Sequence, residues 1–235
     1  PVRGSPPLPL MRNESVIEEE PDQALLTRRY TEEAVAFIKE NRKDPFFLYL
    51  PHTMPHIPIH VSEEFKDQSG NGPIGDSVQE IDWSIGHILD TLAELGIEDD
   101  TLVVFTSDNG GTFRSKSSNA PLRGQKSEVW EGGMRVCTLM QWPGIIPAGT
   151  DCHELSTTMD LLPTFAKLTG GTLPEDRLID GRDIWPLISG QPEAKTPHET
   201  FYYYWMNHLS AVRSGKWKLH VSYLKRDRIG MIQTR

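Results

Sequence analysis

Two hydrophobic periods alternate along this chain, and few architectures accept both. Across residues 27–42, Tyr30, Ala34, Val35, Phe37 and Ile38 recur at helical spacing. Asp44-Pro45 closes that stretch, because the residue before a proline is pushed out of the α region. Phe46-Phe47-Leu48-Tyr49-Leu50 follows as an unbroken apolar run, the pattern of a strand buried on both faces. The unit then repeats. Asp76 with Gln79 reads as a capping box, Val78, Ile81, Ile85, Ile88, Leu89, Leu92 and Leu95 form one apolar stripe, and Gly96 suits the stop. A second buried strand is expected over 101–107, around Val103-Val104-Phe105. Helices alternating with fully apolar strands predict an α/β fold, a parallel sheet with helices on both faces. A further strand is expected at 137–141 and a helix at 160–168, with Gly170 behind it.

The two ends differ from this middle. Residues 1–21 carry Pro6, Pro7, Pro9 and the acidic run Glu18-Glu19-Glu20, which reads as an irregular surface segment. Asn13-Glu14-Ser15 matches a glycosylation acceptor tripeptide, a pattern that also arises often by chance. After Gln191-Pro192 the chain turns aromatic at 201–205, and the runs 209–213 and 216–221 flank Ser214-Gly215 as a hairpin. The organisation expected is therefore 1–192 as one α/β unit and 193–235 as the beginning of a small antiparallel subdomain.

Charge narrows the partners. Against 33 Asp and Glu stand 24 Lys and Arg, a formal net charge of −9 with no basic block, which argues against nucleic-acid binding. No apolar run approaches the roughly 18 residues of a membrane span. Two cysteines, Cys137 and Cys152, make no disulfide framework. The chain opens on Pro1 rather than Met and reads as a piece of something longer.

In parallel α/β sheets, ligands gather beyond the carboxyl ends of the strands. Two expected strand ends carry polar, turn-forming residues: Pro51-His52-Thr53-Met54-Pro55-His56-Ile57-Pro58 and Asp108-Asn109-Gly110-Gly111. Asp108 and Asn109 offer hard oxygen ligands, suited to Ca²⁺ or Mg²⁺, and Gly110-Gly111 would let the backbone bend so that both reach one ion. Asp-Asn-Gly is equally an ordinary turn. His52 and His56 lie in a proline-stiffened loop, where an imbedded imidazole can donate to an anion or move a proton, or simply be solvated. In the segment from Pro121 to Arg135, Lys126 could set a point charge on an anion and Arg123 or Arg135 a planar fork; scattered surface ion pairs are the bland alternative.

In order and spacing these segments resemble the type I sulfatase family of the alkaline phosphatase superfamily. The likeness runs through Pro45-Phe46-Phe47-Leu48-Tyr49-Leu50, Pro55-His56-Ile57-Pro58, Gly75-Asp76-Ser77-Val78-Gln79-Glu80-Ile81-Asp82 and Phe105-Thr106-Ser107-Asp108-Asn109-Gly110. It closes with Leu122-Arg123-Gly124-Gln125-Lys126 and Trp130-Glu131-Gly132-Gly133-Met134-Arg135, covering about residues 10–220 in the manner of the arylsulfatase A and N-acetylgalactosamine-6-sulfatase branch.

The resemblance implies the C-terminal half of an alkaline-phosphatase-like catalytic domain, acting on a sulfated small molecule or glycan. It implies that Asp108 and Asn109 ligate one calcium ion whose other ligands come from a missing N-terminal half. It makes His56 and Lys126 the contacts to sulfate and the leaving oxygen, with His52 near enough to reach substrate. The family nucleophile, a formylglycine from a Cys/Ser-x-Pro/Ala-x-Arg motif, has no counterpart at Cys137, Cys152 or any serine here. Neither the family's first-strand aspartates nor its upstream lysine and histidine are present, so these residues alone are expected to be inactive. A lysosomal, periplasmic or secreted home follows from the family only. Two alternatives share the scaffold: a phosphodiesterase or phosphonate hydrolase, and a noncatalytic binding module.

Overall fold

In a computed structural model, the structure describes residues 6–221, 224–226 and 232–234. Two compact units emerge: Pro1–Thr101 with Thr112–Ser117, and Leu102–Gly111 with Ser118–Arg235.

The first unit opens with a hairpin, β1 (Pro9–Arg12) against β2 (Ser15–Glu19), where an irregular segment was expected. The correction has a local cause. Arg12 pairs with Ser15 across a two-residue turn, and Asn13 adopts φ 53°, a left-handed conformation that asparagine tolerates better than most residues. Arg29 ties the hairpin to the next helix through Glu18 at 2.6 Å.

Helices α1 (Leu26–Asn41) and α2 (Gly72–Glu94) pack together over buried Leu26, Ala34, Ile38, Ile81 and Leu92. The start of α2 differs from expectation. Gly72 and Pro73 open it, and proline suits a first turn whose amides lack helical acceptors. Asp76 therefore lies one turn inside and caps nothing; its carboxylate accepts from the amides of Asp67 at 3.0 Å and Ser69 at 2.9 Å. The stop is as expected: Gly96 at φ 66° donates to Ala93 and Ile97 donates to Leu92, a paired closure of the last turn.

Residues 46–50 join none of the described ladders. Their side chains alternate instead: Phe46, Leu48 and Leu50 are half-buried, while Phe47 and Tyr49 are 73% and 76% exposed. Phe46 meets Phe37 of α1 edge-on at 5.9 Å. The run is thus covered on one side, not on both as its composition predicted.

In the second unit, β3 (Val103–Thr106) pairs with β4 (Thr138–Gln141), from Val103 opposite Gln141 to Thr106 opposite Thr138. The short helix α3 (Glu131–Met134) precedes β4. Helix α4 (Leu161–Leu168) follows a 3-10 turn closed by a Thr157–Asp160 capping box and ends on Gly170 at φ 71°. After α5 (Trp185–Ile188) comes an antiparallel sheet, β5 (Phe201–Trp205), β6 (His208–Ser214) and β7 (Trp217–His220), with the expected hairpin turn after Ser214. A last antiparallel pair joins β8 (Leu224–Arg226) to β9 (Ile232–Thr234). The chain is of the α/β class, as anticipated. Every ladder among the described residues is antiparallel, so the expected parallel pairing is not among them. A parallel ladder needs two strands side by side, and 46–50 has no such neighbour in the described set. Among the described residues no helix is long and apolar enough to cross a membrane.

Candidate active site

At the end of β3 the chain enters Asp108-Asn109-Gly110-Gly111, and a backbone net holds that turn. The Gly110 amide donates to Gly133 O at 3.1 Å, and the Lys126 amide donates to Gly111 O at 3.0 Å. Asn119 clamps the same place from its side chain. Its Oδ1 accepts from the Gly111 amide at 2.9 Å, and its Nδ2 donates to Gly111 O at 2.9 Å and Gly124 O at 3.0 Å.

Glycine is required here by approach distance. A Cβ on Gly110 would lie 1.8 Å from Gly132 O, and one on Gly133 would lie 2.3 Å from Glu128 O. Those separations are far inside van der Waals contact, so no side chain fits between the two loops. The net thereby places the Lys126 backbone one hydrogen bond from the Asp108–Gly111 turn. Asp108 is exposed, and Asn109 and Lys126 are half-buried. Among the described residues neither the Asp108 carboxylate nor the Lys126 ammonium is spent on an ion pair.

The terminal sheet anchors this loop from the other side. Glu131 is held by Lys218 Nζ at 2.8 Å and Arg213 at 3.4 Å. Trp130 meets both Arg123, 3.8 Å over its ring, and His220, whose ring centroid is also 3.8 Å away. Arg123 thus has its guanidinium over an indole. Burial lowers the Lys218 pKa despite the opposing pull of Glu131. Burial, with the neighbouring Lys218 and Arg123 cations, lowers that of His220. An acid at 131 and an aromatic at 130, facing three cations and a histidine, make the loop and sheet one assembly inside the second unit.

The two candidate histidines belong to the first unit and behave differently. His56 is exposed, and its Nδ1 lies 2.7 Å from Ile57 O. A carbonyl only accepts, so Nδ1 carries the proton and Nε2 is left to act outward. His52 is half-buried, with Nε2 3.3 Å from Ser84 Oγ and Nδ1 buried without a partner among the described residues. Burial lowers its pKa, which keeps the ring neutral near pH 7. Its ring is engaged by α2.

No group of three or more His, Cys, Asp or Glu side chains able to hold a metal occurs among the described residues. Asp108 and Asn109 supply two hard oxygens, a donor type that fits calcium and a number short of the six to eight it prefers. Glu80 falls in the family-like stretch Gly75–Asp82 with no role assigned to it, and Asn119 and Ser84 carry no motif that would have singled them out; Asn119 ahead of Ala120-Pro121 shows only turn chemistry.

Comparison with known proteins gives this arrangement a family. Residues 9–171 match the Sulfatase family model, and residues 125–234 match that of the N-sulphoglucosamine sulphohydrolase C-terminal region. Steryl-sulfatase of Homo sapiens is 42% identical over 212 residues, spanning 87% of this chain and 36% of that protein. N-acetylgalactosamine-6-sulfatase of Mus musculus is 42% identical over 206 residues, spanning 85% of this chain and 39% of that protein. The crystal structure of the PsFucS1 sulfatase from Pseudoalteromonas sp. matches with a TM-score of 0.83 at 26% identity, over 90% of this chain and 44% of that one. This chain therefore spans well under half the length of these relatives. With a family model matched over more than half of its residues, the chain belongs to the type I sulfatases and shares their alkaline-phosphatase-like α/β fold.

Proposed function

We propose that these residues form one part of the active site of a sulfuric ester hydrolase. The observation that carries the reading is the single backbone net that holds the Asp108–Gly111 turn and Lys126 together, with both charges left unspent by the described residues. Charge builds on the leaving oxygen and on the sulfuryl oxygens as the ester bond breaks, so fixed donors aimed there lower the barrier most.

Lys126 then places a point charge on the sulfate, and His56 offers Nε2 to the sulfate and the leaving oxygen, donating when protonated. Asp108 and Asn109 would hold one calcium ion, with further oxygens supplied by residues outside this chain. The ion, when bound, offers positive charge to the sulfate. A formylglycine would supply the nucleophile from outside these residues, since no Cys or Ser here begins the motif that makes one. Asn119 and the glycines near Gly110 position these groups without touching substrate. The substrate is a sulfated small molecule or glycan, and the protein is an enzyme only with the remainder of its domain.

Turnover of an aryl sulfate by the complete protein tests this. Lys126→Ala and His56→Ala should each lower kcat/KM by about 10²–10³-fold, and Asp108→Asn should raise the calcium concentration needed for activity. Unchanged turnover in either of the first two variants overturns the assignment, as does aryl sulfate hydrolysis by the 235 residues alone. Faster turnover of a phosphonate or phosphodiester than of a sulfate would move the site to phosphate chemistry.

A further inference from the structure

We propose that the buried face of α2 at Asp76, Glu80 and Ser84 is a brace that sets the position of His56, and that His52 is the brace's contact at the near end of the loop. His52 is then a positioning residue and not a substrate ligand. The proposal rests on the catalytic reading of His56.

Positions 76, 80 and 84 are spaced by one turn and share one helix face. They are 1%, 1% and 0% exposed, where an apolar stripe would ordinarily lie. Every one of them reaches the same connection, the segment between α1 and α2. Ser84 Oγ lies 3.3 Å from His52 Nε2 and accepts from Thr31 Oγ1 of α1 at 2.6 Å. Glu80 Oε2 accepts from the Ser62 amide at 3.1 Å. Asp76 accepts from the Asp67 and Ser69 amides. Successive turns of the helix thus grip the connection at 52, 62, 67 and 69.

His56 sits within the span between the first two grips. Inside that span the chain is drawn in by buried Met54, whose Sδ accepts from the His60 amide at 3.3 Å. The His56 amide donates to Thr53 O, also at 3.3 Å, and the imidazole is turned by its bond to Ile57 O. Hydrogen bonds are directional where apolar contact is not, so this scheme fixes the orientation of the span as well as its closeness to the helix.

The scheme is a poor one if stability alone were at stake. Glu80 Oε1, Ser62 Oγ and His52 Nδ1 are buried with no partner among the described residues, and each unmet group opposes folding. Apolar residues of similar size would hold two helices together at less expense. Such a cost is commonly retained where a geometry must be held for function.

The test uses the complete protein and two aryl sulfates, one with a good and one with a poor leaving group. His56→Ala should slow the poor leaving group more than the good one, because the group that assists the departing oxygen is gone. Ser84→Ala and Glu80→Ala should do the same in milder form, lowering kcat by about ten- to a hundredfold with KM little changed, since a displaced group is lost mainly in the transition state. His52→Gln, which can still meet Ser84, should stay near the parent, and His52→Ala should not. Adding Ser84→Ala to His56→Ala should cost nothing further.

If His56→Ala has no leaving-group effect, the catalytic reading itself fails. If it has one while Ser84→Ala, Glu80→Ala and His52→Ala slow both substrates equally, the brace is overturned and these residues serve stability only. Should Ser84→Ala not fold, Thr31→Val loosens the same hydroxyl from the α1 side and is read in the same way.

Discussion

The His56 loop and the Asp108–Lys126 loop are held in place by opposite means. In the first unit the connection is hung from α2 by side chains: a serine meets an imidazole, and a glutamate and an aspartate accept from backbone amides. In the second unit two loops are pressed backbone to backbone, through Gly110, Gly132 and Gly133, with Asn119 as a side-chain clamp. The side-chain scheme depends on charge and hydrogen-bonding capacity. The glycine scheme depends on the absence of volume. Substitutions should therefore injure the two loops through different physics.

The largest effect is expected at Gly110→Ala. Its new Cβ would stand 1.8 Å from a backbone oxygen, with no flexible side chain able to yield. Destabilisation above about 4 kcal/mol by chemical denaturation is expected. A loss below about 1 kcal/mol would mean that the glycine packing is far looser than the contact distances imply. Next comes Glu80→Ala, which strands the buried Ser62 amide and should cost about 2–3 kcal/mol in the same measurement. Glu80→Gln, with an amide oxygen still facing Ser62, should recover most of it.

Gly86→Ala sharpens the contrast between glycines. Gly86 lies within α2 and a Cβ there meets nothing within 4 Å. Alanine should raise stability by about 1 kcal/mol through helix propensity, the reverse of Gly110→Ala.

The smallest effect is the acid limb of the side-chain scheme. The Ser69 hydroxyl first, then the amides of Ser69 and Asp67, hold the Asp76 pKa below its ordinary value. A carboxylate with a depressed folded pKa stabilises the fold above its unfolded pKa, about 3.9, and loses that support as pH falls through the folded value. Stability measured against pH should fall on that limb, and Asp76→Asn should flatten it. A parent and variant with parallel acid limbs would remove Asp76 from the brace.

Much of the local structure is legible in the sequence. The end of α2 at Gly96, the end of α4 at Gly170 and the β6–β7 hairpin each depend on a few neighbouring residues, and each fell where turn and capping chemistry placed it. The errors share a cause. Asp76 with Gln79 looks like a capping box, yet Gly72-Pro73 starts the helix earlier and frees Asp76 for a distant loop. The run 46–50 is apolar throughout, but an apolar run does not say how many layers will cover it. Residues 1–21 hid a hairpin because one asparagine turn outweighed the prolines and acids around it.

At the candidate site, motif spacing singled out Asp108, Asn109, His56 and Lys126, because the chemistry of a carboxylate, an amide, an imidazole and an ammonium is written in residue type. Asn119 and Ser84 stand in no family-like motif and Glu80 stands in one without a role, since a buried polar residue acquires its role only from the groups that fold against it.

By itself the sequence settled α1, the ends of α2 and α4, the terminal hairpin, the acidic balance and the family likeness, all of which follow from nearest neighbours or from ordered motifs. Tertiary structure alone decided that His52 faces α2, that Gly110 must be bare, and that Asp76 serves a loop and caps no helix. Those outcomes depend on which groups separated by tens of residues come within hydrogen-bonding or van der Waals reach. No local pattern encodes that distance.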